Sequence, residues 1–273
     1  MKNIFIISWY TLREAFARKV FIFFAAISLI FIIGLAIVFS LVNTDSIISG
    51  MNPSDNKMVL EEIITKIQLA ITAPLSNLCL LLAIFSSSSF IPVMLEKGNI
   101  DLLLSKPISR TQLLFGKYLG GTLVVFLNIA FLIIGAWIII SLKFSYWNFN
   151  FLLVILVITF TFAVLYSIVV LCGILFRSSV PGMMLAYFIF LILSPALIFV
   201  KLQLQTLSGK ELLKGVVDSL YYIIPKTSEL MGTINLNIGQ GKFISDFQPV
   251  LSSFLFLILV MFFCDYLLRR KDF

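Results

Sequence analysis

Histidine is missing from the 273-residue sequence, and its absence narrows the chemistry open to this protein. Histidine is the commonest general base in enzymes and the commonest metal ligand. The three cysteines, Cys79, Cys172 and Cys264, are widely separated and show neither metal-ligand spacing nor a disulfide framework. We therefore expect no catalytic residues, no metal site and no bound cofactor in this chain.

Charged residues are also scarce. They make up 12% of the sequence against 60% hydrophobic residues, and the mean hydropathy is +1.10. Because lipid offers no partner for backbone N–H and C=O groups, a membrane crossing takes a helix of about 20 mostly apolar residues. Six stretches meet or nearly meet that length, at residues 20–42, 67–95, 118–142, 149–176, 178–200 and 247–268. The sequence predicts an all-α polytopic membrane protein with six transmembrane helices.

The basic residues predict the orientation of these helices. Lysine and arginine are enriched in short cytoplasmic loops. With the N-terminus inside, 12 of the 20 basic residues, including all six arginines, fall on the cytoplasmic side. We therefore expect both termini in the cytoplasm. This topology also accounts for the net charge of +7, so we expect no nucleic-acid partner.

Residues 1–19 precede the first span and are predicted to form an amphipathic elbow helix ahead of a six-span domain at 20–273. At 100° per residue, Phe5, Trp9 and Phe16 share one side, whereas Ser8 and Glu14 lie on the other. Such a helix lies along the inner surface of the membrane. A simple lead-in to the first span is the alternative interpretation.

The apolar cores of the six stretches contain no Asp, Glu, Lys or Arg. Ion-coupled transporters usually carry such groups within the membrane. The chain also has no P-loop, because its three Gly-Lys pairs are followed by Tyr118, Glu211 and Phe243 rather than by serine or threonine. Active transport by this protein would therefore need energy from a partner.

Uncharged polar residues within the second and third stretches remain as candidates for a functional lining. Their side chains either line a transport cavity or let helices pack closely, and the sequence leaves both interpretations open. The candidate cavity residues are Asn77, Ser86, Ser87, Ser88, Ser89 and Asn128.

The polar segment 201–246 is predicted to be a helical segment on the outer side. Ser208 and Glu211 match a capping box, and the helix that follows ends before Pro225. Its apolar stripe, which includes Leu212 and Leu220, is expected to pack against the outer ends of the spans. A structural lid and a gate over an exit both remain open.

The polar break at 96–117 carries the strongest local signals in the chain. Ser109 and Gln112 match a capping box that predicts a helix start at Arg110. From there no proline interrupts the sequence until after residue 142, which gives a helix of about 50 Å at 1.5 Å per residue. Pro107 predicts a bend before the helix, and Asp101 lies near the start of a short upstream helix. We expect a compact protrusion on the cytoplasmic side.

The residues of this break resemble those of the type-2 permeases of ATP-binding cassette (ABC) exporters. The resemblance is carried by Glu96-x-Gly98, by the leucines at 102–104, by Pro107-Ile-Ser109-Arg110 and by Gly116-Lys117. The segment 224–230, Ile-Pro-Lys-Thr-Ser-Glu-Leu, is also similar to one in permeases related to the exporter that assembles the copper site of nitrous oxide reductase.

This resemblance implies a specific arrangement of subunits. Two copies of the chain would assemble with two ATPase subunits, which hold ATP and Mg²⁺, in the lipid of a bacterial cytoplasmic membrane. The loop between spans two and three would carry a coupling helix that docks on the ATPase. The implied coupling residues are Glu96, Gly98, Asp101, Pro107, Ser109 and Arg110.

Two other functions are alternatives to this one. A scaffold or assembly factor that moves no substrate is compatible with the sequence. An intramembrane enzyme is disfavoured, because the chain has no histidine and no carboxylate pair within its predicted spans.

Overall fold

A computed structural model describes residues 2–17, 19–41, 56–96, 98, 108–206, 211–242 and 246–270. All regular structure within these ranges is helical. Six helical segments in them are long and apolar enough to cross a membrane. The predicted fold class, an all-α polytopic membrane protein, is confirmed.

The N-terminal half of the chain contributes five α-helices. They are α1 (Lys2–Ala17), α2 (Val20–Leu41), α3 (Asn56–Ser87), α4 (Phe90–Met94) and α5 (Arg110–Phe144). The first three candidate spans correspond to α2, to α3 with α4, and to α5.

The C-terminal half starts with a 3-10 turn at Phe149–Leu153 that leads into α6 (Val154–Phe176). Span five is one continuous run made of α7 (Ser179–Phe188), a π-helical turn (Ile189–Leu193) and α8 (Ser194–Thr206). Next come α9 (Glu211–Ile223) and a second continuous run of α10 (Thr227–Glu229), a π-helical turn (Leu230–Ile234) and α11 (Asn235–Gly239). Span six is α12 (Gln248–Arg270).

Helix α6 forms the centre of the bundle. Every residue from 161 to 170 is buried, and the helix packs against α3, α5, α7 and α12. The spans around it, above all α2 and α12, leave many of their apolar side chains exposed on the protein surface. An apolar surface of this kind suits contact with lipid or with another subunit.

Helix α5 begins where the sequence predicts. Ser109 is its N-cap, and the capping box with Gln112 is present. At 35 residues the helix is about 50 Å long at 1.5 Å per residue. It therefore extends beyond the hydrocarbon core, which is about 30 Å thick.

The segment 201–246 departs in part from its prediction. Helix α9 forms and ends before Pro225 as expected, but Leu220 is 43% exposed while Tyr221 is buried. The predicted packing is therefore wrong at Leu220, and the side chain of Leu212 lies outside the described residues. The later part of the segment enters the bundle, where Leu230 and Ile234 are buried against Val157 of α6.

Candidate functional site

The N-terminal end of α5 is joined to α1 through its cap. The Ser109 hydroxyl accepts a hydrogen bond from the Gln112 backbone N–H at 3.2 Å, and the Gln112 side chain accepts one from Ser109 at 3.4 Å. The same side-chain oxygen accepts a hydrogen bond from the Asn3 amide at 3.1 Å. The cap therefore also fixes the start of α1 against α5.

Arg110 joins α5 to the end of α12. Its guanidinium donates to the backbone carbonyls of Leu268 at 3.1 Å and of Arg269 at 3.4 Å. Carbonyls in the last turn of a helix lack intrahelical partners and carry partial negative charge, so a cation there stabilises the helix end. Arg269 donates in return to Thr111 at 3.0 Å and pairs with Asp265 at 2.8 Å.

Two glycines let α1 approach α5 at close range. A Cβ atom at Gly116 would lie 2.6 Å from Cβ of Ile7, and one at Gly120 would lie 2.5 Å from Cβ of Thr11. The Ser8 hydroxyl donates to the Gly116 carbonyl at 3.0 Å. Glycines four residues apart allow close helix contact within membranes. This Gly-x-x-x-Gly spacing is visible in the sequence and is the signal that would have predicted the contact.

The same contact contains a largely buried ion pair between Lys117 of α5 and Glu14 of α1. The polar side of α1 therefore faces α5 and not water. Phe5, Trp9 and Phe16 lie on the exposed side of the helix, where they are 74%, 49% and 44% exposed. An aromatic face in this position suits the membrane interface. We define the contacts of Ser109, Arg110 and the α1–α5 interface as the three-helix junction.

The remaining predicted coupling residues lie upstream of the three-helix junction. Glu96 is exposed just after α4. Gly98 has a φ of 92°, a conformation that glycine adopts without strain. Asp101 and Pro107 lie outside the described residues. Of the six predicted coupling residues, the structure brings Ser109 and Arg110 into the junction.

A cavity of about 340 Å³ lies between span two, span five and the run that follows α9. Asn77 contributes from α3, Phe190 and Leu191 from the first π-helical turn, and Met231 and Gly232 from the second. Ala73, Pro195, Ser228 and Leu236 complete the lining. We call this space the π-turn cavity. π-helical turns are rare and often occur at functional sites.

Asn77 is the one predicted cavity residue that lines this space. The hydroxyls of Ser86 and Ser87 donate to the Ala83 carbonyl at 3.1 and 2.8 Å, and that of Ser88 donates to Phe85 at 2.8 Å. These three hydroxyls therefore bond back to their own helix. Two other predicted residues also lie away from the cavity, Ser89 at the N-cap of α4 and Asn128, buried in α5 with its amide donating to Val124 at 3.0 Å.

A buried lysine lies beside the π-turn cavity, and sequence reasoning missed it. Lys226 is 2% exposed, and its ammonium lies 3.7 Å from the centre of the Tyr221 ring. Its backbone N–H donates to the Ser253 hydroxyl at 3.1 Å, and the Ser228 N–H donates to the Ser194 hydroxyl at 3.0 Å. The turn at Lys226 thus ties span five to span six. A polar segment rich in lysine gives no sign of which lysine is buried.

Burial lowers the pKa of the Lys226 ammonium to about 8, since a charged amine is poorly solvated there. The nearby Lys201 lowers this pKa further, whereas Glu229 and Asp246 oppose the shift. Glu229 itself accepts a hydrogen bond from the Tyr221 hydroxyl. Burial and this carboxylate raise the pKa of Tyr221 above its ordinary value.

The two regions differ in what they can do chemically. The three-helix junction connects the ends of α1, α5 and α12, so a displacement of one helix end is passed to the other two. The π-turn cavity is a concave space with mostly apolar walls and two uncharged polar side chains, Asn77 and Ser228. Small-molecule sites commonly have this composition.

Comparison with known proteins identifies the family of this chain. No curated protein matches the chain significantly. A family model described as ABC-2 family transporter protein matches residues 6–273, nearly the whole length. Permeases of that family are membrane subunits that work with an ABC ATPase subunit. This multi-pass membrane protein therefore belongs to the ABC-2 family of transporter proteins, as the permease subunit of an ABC transporter.

Proposed function

We propose that this permease exports a substrate across a bacterial cytoplasmic membrane, with both termini in the cytoplasm. Two copies of the chain assemble with two ATPase subunits, which bind ATP and Mg²⁺. The loop at 96–117 docks on the ATPase. The segment 224–230 supports a functional analogy to the copper-site assembly exporter of nitrous oxide reductase.

The observation that carries this proposal is the three-helix junction around Arg110. Arg110 follows the loop directly and donates to the last carbonyls of α12. Because α5 is one uninterrupted helix of 35 residues, a push on the loop moves it as a unit. The same push reaches α12 through Arg110 and α1 through the Ser109 cap.

These contacts support different roles for two of the predicted coupling residues. Arg110 is engaged within its own chain and so serves as a positioning residue that ties α12 to the loop. Glu96 is exposed and is available to a partner. We therefore assign docking on the ATPase to Glu96 and the adjoining loop, and transmission to Arg110.

Charge reversal on both sides of the loop tests the proposal. The variants are Glu96→Lys and Arg110→Glu, co-expressed with the ABC ATPase subunit. Truncating one partner of a buried interfacial charge pair costs about 2–5 kcal/mol, so Glu96→Lys should weaken co-purification of the ATPase about 30-fold or more. Arg110→Glu should retain more ATPase but lose transport, because it breaks the tie to α12.

The matched control is Asp218→Lys, which makes the same charge change as Glu96→Lys at an exposed site on α9. It should bind the ATPase and transport at the wild-type rate. If Glu96→Lys and Arg110→Glu both retain the ATPase and transport at wild-type rates, the coupling assignment is wrong. ATPase binding without movement of any substrate would favour the scaffold interpretation instead.

A further inference from the structure

The walls of the π-turn cavity restrict what it can hold. Nine of the described residues line the cavity, and they are mostly apolar, with no charged side chain among them. Asn77 and Ser228 supply uncharged hydrogen-bonding groups. A charged group in such a space would find no counter-charge among these lining side chains, and its desolvation would cost free energy. Lys226 lies in a separate small hollow, lined also by Ser194 and Tyr221.

The position of the cavity indicates the route by which a ligand reaches it. Asn77 lies in the interior of span two, Ile64–Met94, and Leu191 lies in the interior of span five, Ser179–Gln203. Both side chains are exposed on the protein surface, as is Pro195. The cavity therefore opens within the membrane-spanning region of the bundle. A molecule already dissolved in the bilayer can enter without crossing water.

The volume and the backbone geometry fit one small ligand. The volume of about 340 Å³ is near the lower end of the range of about 300–1,000 Å³ seen in small-molecule sites. Both π-helical turns contribute to the walls, Leu191 from one and Met231 from the other. Gly232 keeps part of the space open, because no atom lies within 4 Å of an added Cβ.

We propose that the π-turn cavity binds an uncharged amphiphile, with its apolar chain against the π-helical turns and a neutral polar group hydrogen-bonded to Asn77 and Ser228. This assignment builds on the proposed transport function by naming the substrate class as a neutral, membrane-dissolved molecule. It disfavours a metal ion as the cargo held here, since the lining residues that the structure describes offer no thiolate, imidazole or carboxylate ligand.

Filling the cavity from Gly232 tests the proposal. The purified protein in nanodiscs is titrated with radiolabelled 1-lauroylglycerol, an uncharged single-chain probe. Gly232→Leu should weaken binding at least about tenfold, because the new side chain occupies the space of the ligand. Asn77→Leu should weaken it less, through loss of one hydrogen bond.

Gly215→Leu is the matched control. Gly215 is also a helical glycine with no atom within 4 Å of an added Cβ, but it lies in α9 and not in the cavity. Binding to this variant should stay within about twofold of wild type. Laurate and dodecyltrimethylammonium, which have the same chain length with opposite charges, should compete at least about tenfold more weakly than the neutral probe.

Three outcomes would overturn the proposal. They are unchanged affinity in Gly232→Leu, equal weakening in Gly215→Leu, and competition by laurate as strong as that by the neutral probe. If Gly232→Leu does not fold, Asn77→Leu decides, and unchanged affinity in that variant counts against the site. The assay contains neither ATPase nor transport, so its result is independent of the coupling experiment.

Discussion

The three-helix junction and the surroundings of the π-turn cavity differ in whether their polar side chains have hydrogen-bond or ion-pair partners. At the junction each cation meets an acceptor: Lys117 pairs with Glu14, and Arg110 with the carbonyl of Leu268. Beside the cavity, Lys226 has no hydrogen-bond partner for its ammonium within the described part of the chain. The buried side-chain oxygen of Asn235 likewise has no hydrogen-bond partner among the described residues.

This difference indicates that the two regions behave differently when the protein moves. Satisfied polar contacts hold helices in one relative position, which is what a rigid connection to an ATPase needs. Buried polar groups without partners and π-helical turns cost free energy, and regions of lower stability are those that rearrange on binding. We infer that the junction moves as a unit and that the region around the cavity changes internally.

The largest effect is expected from a steric change at the junction. An added Cβ at Gly120 would lie 2.5 Å from Cβ of Thr11 and 2.9 Å from the Ser8 carbonyl oxygen. Gly120→Val should therefore push α1 from α5 and cost about 3 kcal/mol of stability, the upper part of the range for overpacked sites. Tryptophan fluorescence during unfolding in a neutral detergent measures the change.

Gly34→Val is the control for this substitution, since no atom lies within 4 Å of an added Cβ on α2. It should change stability by less than about 1 kcal/mol, the helix propensity difference alone. Equal losses at both glycines would mean that the close contact between α1 and α5 does not contribute to stability.

A smaller effect is expected from the ion pair in the same interface. Glu14→Gln leaves the Lys117 ammonium, whose side chain is 10% exposed, without its carboxylate. Removing one partner of a fully buried pair costs about 3–5 kcal/mol, and the 29% exposure of Glu14 reduces this to about 2 kcal/mol. The same unfolding measurement applies.

The double variant Glu14→Gln/Lys117→Met sharpens this prediction. Because both charges are then removed, most of the lost stability should return. If the double variant is as unstable as the sum of the single variants, the two residues do not act as a pair.

The junction and the cavity also differ in how much of each could be predicted from sequence. The capping box at Ser109 depends on residues three apart, so a local pattern predicts it. One acceptor of the Arg110 guanidinium is the carbonyl of Leu268, 158 residues away, and no local pattern specifies such a contact. The six spans were predictable because each needs only a long apolar stretch.

The side of a helix that packs against its neighbours and the polar residues that become buried were harder to predict from the sequence. The hydrophobic periodicity of α1 correctly separates its aromatic side from its polar side. It does not show that Gly116 and Gly120 leave a groove on α5 against which the polar side of α1 packs. In the same way, Lys226 and Lys242 look alike in a polar segment, yet one is buried and the other is exposed. Burial depends on the packing of distant segments.

The smallest effect is expected at Lys226, and its sign is opposite to that at the junction. Its ammonium is buried against the Tyr221 ring without a hydrogen-bond acceptor among the described residues. Lys226→Met keeps a similar side-chain length and removes the buried charge, so it should raise stability at pH 7 by about 1 kcal/mol. Lys242→Met, which removes an exposed charge, should leave stability nearly unchanged.

The pH dependence provides the decisive measurement. The pKa of Lys226 is lowered to about 8 in the folded protein from its ordinary value of 10.5. Between these values the unfolded chain still holds a proton that the folded protein has released, so stability rises with pH across this window. Below pH 8 both states are protonated, and the cost of burying the charge is present in full. The gain from Lys226→Met should therefore be largest near pH 7, and it should vanish or reverse in sign by pH 10.

Other groups near the site, among them Lys201, Tyr222 and Glu229, are present in both proteins. The difference between the stability–pH curves of the wild type and Lys226→Met therefore isolates Lys226. A difference that stays constant with pH would show that the folded protein does not depress this pKa. The contrast between the two regions would then rest on the π-helical turns and the Asn235 side-chain oxygen.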